Sequence, residues 1–194
     1  LKYGTDTWPA GFDPHTISAI AATRVFNQVY ETLLTFNKDM TFGGVLAESW
    51  ENPDDVTYVF HLRHGVKFHN GREMTSADVV YSFDRILGKT EFGDIGALGS
   101  SASYFGGVES VEALDDYTVK FTLSAPNAAF MAGMTSSYGA IVCREVVEAN
   151  GGECIRFAPD ADTHLNPFDL ADVAHQSRSS QMAFKIDAFL ALSS

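Results

Sequence analysis

Residues 46–83 read "LAESWENPDDVTYVFHLRHGVKFHNGREMTSADVVYSF", and this stretch decides the fold because its hydrophobic period changes within it from two to 3.6. Apolar groups at 46–50 lead into "ENPDD", whose Pro fixes φ and whose Asn and Asp side chains offer acceptors to the backbone, so a turn is expected there. Residues 57–62 then alternate: Tyr58, Phe60 and Leu62 face one way, and Val59, His61 and Arg63 the other, as on a strand. "RHG" turns the chain into a second short strand at 66–69, and Asn70-Gly71 makes a tight turn because both residues tolerate positive φ. Thr75 stands as an N-cap with Asp78 three residues on as a capping-box acid. The helix that follows carries Val79, Val80, Phe83, Ile86 and Leu87 inward and is closed by Gly88.

Working outward, residues 1–7 alternate as a short strand, and "WPAGFDPH" is the punctuation of a structured loop. Over 16–36 the spacing of Ile20, Val25, Val29, Leu33 and Leu34 predicts one amphipathic helix, with "NKDM" as the turn that ends it. Residues 91–107 read as a long loop or an irregular helix pair. Residues 108–114 and 117–123 form a second hairpin around Asp115-Asp116, and 125–134 a helix with Pro126 at its first position. A further helical turn is expected at 145–149. After Asn150 the composition shifts to a strand-like piece, an Asn-Pro loop and an amphipathic helix from about Gln181. The fold class is therefore α+β, with antiparallel hairpins rather than a regular alternation of strand and helix.

With 194 residues, 45% of them hydrophobic, the chain is long enough to bury one good core. A formal net charge of −12 lacks the basic footprint that phosphate backbones require, so nucleic acid is not an expected partner. No apolar run approaches the ~20 residues of a membrane span. Two cysteines, Cys143 and Cys154, could pair with each other, but they are too few for a disulfide framework and match no zinc spacing, and they read as small hydrophobes rather than a bridge.

Tests for chemistry come out negative. "ILGKT" at 86–90 ends like a phosphate-binding loop, but Phe83 stands where the first Gly of that motif is needed. His61, His64 and His69 lie close together, yet the three-residue step from His61 to His64 aims them at opposite faces of a strand, so no metal site is expected. No HExxH pair and no Gly-x-Ser-x-Gly elbow occurs, and the paired aspartates belong to turns. Neither an enzyme nor a cofactor is expected. Aromatics in Gly-rich loops are the side chains that line ligand clefts. On their position at strand ends the candidate ligand contacts are Phe12, Asp13, Tyr104, Phe105, Ser136, Ser137 and Tyr138.

The run "LAESW...YVFHLRHGVKFHNGREMTSADVVYSFDRIL", with "DP" at 13–14, "VYETLLTFNKD" at 29–39 and "DDYTVKFTL" at 115–123, resembles the family 5 extracellular solute-binding proteins, the peptide, dipeptide and nickel receptors of ABC importers. The resemblance covers residues 1–148. It implies one partial lobe of a class II periplasmic-binding-protein-like fold, a small peptide or similar solute as ligand, an ABC importer permease as partner, and a monomer. It also implies a periplasmic or extracellular place, with lipid anchoring at the membrane surface as one form of it. Residues 151–192, with "GG...I.F.P....HLNPFDL" and "MAFKIDAFLAL", resemble instead a short piece of the conjugation ATPases of type IV secretion systems, without phosphate- or magnesium-binding motifs. The expected organisation is thus a receptor part at 1–148 and an unrelated or truncated tail at 149–194. A conjugation-ATPase fragment is the alternative function.

Overall fold

The alternation at 57–62 places this segment at the centre of the molecule. A computed structural model describes residues 13–154 and 176–177. In it β3 (Ala47–Asp54), β4 (Thr57–Leu62), β6 (Val108–Asp115) and β7 (Thr118–Leu123) make one antiparallel sheet in the order β3-β4-β7-β6. Its two hairpins are joined through the central β4–β7 pair, which sets Phe60 opposite Val119 and Tyr58 opposite Phe121. Phe60, Leu62, Val119, Phe121 and Leu123 are buried on the inner face, so the period-two reading of β4 holds.

The turn expected at "ENPDD" is smaller than its composition suggests. Strand β3 runs on through Asn52 and Pro53, and the register slips between Glu51 and Asp54. Pro lacks an N–H to give to a ladder, and an edge strand with a bulge is where a sheet tolerates it. The short strand β5 (Lys67–Phe68) pairs with β8 (Gln176–Ser177). Two further short strands, β1 (Leu34–Phe36) and β2 (Phe42–Gly44), pair with each other.

Helix α1 (Ile20–Val29) is shorter than the periodicity predicts. At Tyr30 the backbone turns extended, with φ −108° and ψ 152°, and Leu33 is buried from a bend and Leu34 from the start of β1, neither from a helix. The Thr32 hydroxyl donates to the Leu34 carbonyl at 2.7 Å, and pairing with β2 supplies the backbone bonds that a helix would have made. Ile20, expected inside, is 75% exposed at the start of α1.

Helix α2 (Ser76–Ile86) starts as expected. Its capping box is formed, with the Thr75 backbone N–H donating to Asp78 Oδ2 at 2.9 Å. Arg72 grips the same carboxylate with both terminal nitrogens, at 2.9 and 2.6 Å. Gly88 ends the helix region with φ +70°, which a Cβ would make costly. The irregular 91–107 segment contains α3 (Leu98–Phe105). Helix α4 is only Phe130–Gly133. Pro126 is not in it, because Asn127 holds the chain in a turn: its Oδ1 takes the Ala129 N–H at 2.9 Å and its Nδ2 reaches the carbonyls of Ser103 and Tyr104. Helix α5 (Arg144–Ala149) closes the described main body.

Helix α2 packs over β6 and β7. The core there is an aromatic cluster in which Phe121 meets Phe60, Phe83 and Phe130 at centroid distances of 5.5, 4.8 and 5.6 Å. The Phe83 ring also meets Phe105 edge-on at 5.2 Å. Cys143 and Cys154 are both buried free thiols, as read from the sequence. The strand expected at 1–7, candidate Phe12, and the loop and helix expected in the tail lie outside the described residues.

Candidate functional site

Three polar residues of α2, Asp78, Ser82 and Arg85, follow one another at helical spacing beside the apolar stripe, and all three are buried. Arg85 is 1% exposed. A guanidinium taken out of water is tolerated only when paired and hydrogen-bonded, and Arg85 has such partners. Its two terminal nitrogens grip the Asp13 carboxylate, one of them at 3.1 Å to Oδ1. The same nitrogens donate to His15 Nδ1 at 2.7 Å and to the Gly152 carbonyl at 2.8 Å.

The cluster extends further. The Tyr30 hydroxyl hydrogen-bonds the Cys154 thiol, which in turn hydrogen-bonds the Asp13 carboxylate. Burial alone would raise the Asp13 carboxyl, but the hydrogen bonds and charge of Arg85 hold it below the usual carboxylate range. Burial, aided by the Arg85 charge, pulls the His15 imidazole down to about 4. Burial and the neighbouring Asp13 push the Cys154 thiol well up, so this cysteine is a hydrogen-bonded thiol and not a nucleophile.

His15 connects this interior to a loop. Its Nε2 lies 2.8 Å from the Ala140 carbonyl, directly after a 3₁₀ turn at Ser137–Gly139. That turn and the end of α4 pack against the end of α3 through one glycine each. A Cβ on Gly133 would meet Tyr104 Cβ at 2.7 Å, and one on Gly139 would meet the Phe105 ring at 3.1 Å. Beyond it, the Val142 N–H donates to the Ser82 hydroxyl at 3.0 Å, back on α2.

The structure thus brings most of the candidate residues into one neighbourhood, in different roles. Tyr104, Ser136 and Tyr138 are half-buried around the loop, and Ser137 is buried. Phe105, expected to line a ligand cleft, is wholly buried between Phe83 and Phe130, because α3 turns its ring into the core. The Asp13 carboxylate is engaged by Arg85 in the interior. The sequence reading missed Arg85, His15 and Cys154. The available signal was the polar stripe 78, 82 and 85 on a helix whose other faces are apolar.

Among the described residues no group of three or more His, Cys, Asp or Glu could hold a metal ion. His61 instead approaches Glu51 at 3.4 Å, and His64 stacks on Tyr117 with ring centroids 3.8 Å apart. Among the described residues no helix is long and apolar enough to cross a membrane.

Comparison with known proteins gives one consistent likeness. The sequence model of the bacterial extracellular solute-binding proteins, family 5, matches residues 41–170. The di/tripeptide-binding protein 1 of Pseudomonas aeruginosa is 36% identical over 171 residues, covering 75% of this chain and 30% of that protein. The dipeptide-binding protein of Escherichia coli is 33% identical over 206 residues, covering 95% of this chain and 37% of the relative. A periplasmic binding protein of Helicobacter pylori, DppA, solved in complex with the peptide STSA, superposes with a TM-score of 0.63 at 28% identity over 74% of this chain and 31% of its own. The chain therefore spans about a third of the length of these proteins. The family match runs past residue 148 to 170, and the likeness of 151–192 to conjugation ATPases finds no support.

Proposed function

Since the chain belongs to the family 5 bacterial extracellular solute-binding proteins, we propose that it is part of the receptor of an ABC importer, capturing a peptide or similar small solute without chemical change. The observation that carries this reading is the match of the described lobe to a periplasmic binding protein solved with a peptide bound. The net charge of −12 and the lack of a metal-ligand cluster among the described residues are in keeping with it. Tyr104, Ser136, Ser137 and Tyr138 are the proposed solute contacts on this lobe. Asp13 and Phe105 shape that surface from inside. The permease is the proposed partner, a monomer the proposed state, and attachment through a lipid the proposed form of anchoring.

One lobe offers only part of a closed cleft, so the expected affinity for L-alanyl-L-alanine is weak, with Kd on the order of 1 mM. Amide resonances of Tyr104 and Ser136–Tyr138 should shift saturably as that dipeptide is added to the isotope-labelled chain. Shifts confined to residues remote from the loop, or none at millimolar dipeptide, would reject the reading for this lobe.

For the organisation of the chain we propose that the receptor part continues past residue 148. The support is packing: Gly152 gives its carbonyl to Arg85, and Cys154 is buried at the Asp13 cluster. Limited proteolysis with mass-spectrometric readout should leave a core that ends at or beyond Cys154. A stable core ending at 148 would place the boundary where the sequence resemblance alone sets it. No observation favours the conjugation-ATPase alternative.

A further inference from the structure

We propose that His15 is a positioning residue for the solute-contacting loop, tying its last carbonyl to the buried Arg85–Asp13 pair, and that protonation of the imidazole releases the loop. The proposal rests on the reading of residues 136–138 as solute contacts, and the tether itself stands on hydrogen-bond geometry.

The two ring nitrogens of His15 face groups of fixed polarity. Nδ1 lies 2.7 Å from an Arg85 nitrogen, and a guanidinium has donors only. Nδ1 must therefore present its lone pair. Nε2 lies 2.8 Å from the Ala140 carbonyl, an acceptor, so it must carry the hydrogen. Both neighbours thus select the same neutral tautomer, and a proton added to Nδ1 would set N–H against N–H.

Arg85 has little freedom to yield, since Asp13 and the Gly152 carbonyl hold the same nitrogens. The imidazole is the side that moves, and its bond to Ala140 goes with it. Among the described residues the other hydrogen bonds of 136–140 are local. The Gly139 N–H goes to the Ser136 carbonyl, the Ala140 N–H to the Ser137 carbonyl, and the Tyr138 N–H to the Ser136 hydroxyl. The Ser136 N–H reaches back to the Gly133 carbonyl, and the Ile141 N–H, on the same peptide as the Ala140 carbonyl, goes to the Glu31 carbonyl at 3.0 Å, so that His15 is the side-chain tie of this stretch beside those backbone bonds.

The charged and titratable groups around the imidazole come from every packed element. Asp13 is on its own turn and Arg85 on α2, with Tyr81 on the same helix acting on Arg85. Tyr30 and Cys154 act on Asp13 and on each other from the end of α1 and from the segment after α5. Buried Glu31 belongs to the segment whose carbonyl takes the Ile141 N–H at 3.0 Å. Asp13 favours the imidazolium, and burial and Arg85 oppose it more strongly, which places the switch near pH 4.

The test follows His15 and the loop together by NMR on the full chain, from neutral pH down through about 4. The expected result is an Nε2–H tautomer at neutral pH, with the Gly139, Ala140 and Ile141 amides shifting at the His15 midpoint. In His15→Asn the side-chain oxygen keeps an acceptor toward Arg85 but does not reach Ala140. Its loop amides should already occupy the acid-form positions at neutral pH and show no further step. In His15→Gln the longer amide reaches Ala140, so the loop should keep its neutral positions and lose the step. A purely structural role would leave the loop amides of all three chains alike, or would move the whole spectrum. Either outcome overturns the proposal, as does an Nδ1–H tautomer. If His15→Asn fails to fold, the wild-type titration and His15→Gln still decide.

Binding of L-alanyl-L-alanine separates this proposal from the functional reading. Affinity should fall about tenfold on protonation in the wild type and stay level in His15→Gln. If the dipeptide does not bind at neutral pH, the functional reading fails while the amide titration still decides the tether.

Discussion

Arg85→Met is expected to cost the folded chain about 3–5 kcal/mol, because it leaves a buried carboxylate without its counter-charge. Asp13 would lose its ion pair, and the Gly152 carbonyl and His15 Nδ1 their donors, in a region where water cannot replace them. A domain of this size has about 5–15 kcal/mol in total, so the variant should be close to unfolding at room temperature. Urea denaturation read by tryptophan fluorescence measures the loss. Asp13→Asn with Arg85→Met should cost less than the sum of the two single changes, because the second change removes the group the first left stranded. A loss under about 1 kcal/mol for Arg85→Met would mean that the pair is not a structural hub. The same cluster sets the acid limit of the wild type. The folded chain holds the His15 proton less tightly than an unfolded chain does, so stability is lost as pH falls from 6.5 toward about 4. Asp13, held below its ordinary value, adds a further loss as it is protonated at still lower pH.

Phe105→Ala should cost about 3–5 kcal/mol as well, for a different reason. The ring fills the space between Phe83, Phe130 and the two glycines that bring the 133–139 loop close, and truncation leaves a cavity there. Thermal or urea unfolding of Phe105→Ala measures this, with Tyr104→Ala as the control. Tyr104 is half-buried and should cost far less, while its loss should weaken dipeptide binding. If Phe105→Ala kept full stability and lost binding, the ring would be a ligand contact and its burial a feature of the unliganded lobe only.

These two residues also show where the sequence was legible. The stretch 46–83 could be read because each of its signals is local: alternation for β4, Asn-Gly for the turn, Thr75 with Asp78 for the start of α2. Helix α1 was overdrawn because Leu34 fits a helical spacing as well as it fits a buried strand, and pairing with residues 42–44 decided between them. Helix α4 was overdrawn because Pro126 resembles a first-turn proline until Asn127 is seen to bond α3. Arg85 was missed since a charged residue on an amphipathic helix reads as surface. Its burial depends on Asp13, 72 residues away in the chain. Of the candidate site, the inward turn of Phe105 could not be read, because aromatics in a Gly-rich loop have no period.

The order β3-β4-β7-β6 also has a consequence in time. Each outer hairpin joins strands adjacent in the chain and can form as soon as its own residues are made. The central pair is different, because β4 and β7 are separated by the whole of 63–117, which must be gathered into a closed loop before Phe60 can face Val119. A chain emerging from the ribosome therefore carries β4 with its inner edge open until Leu123 has appeared. Helix α2, made in between, gains its seat on β6 and β7 only then. The step that commits this sheet to its fold therefore waits until β7 has been made.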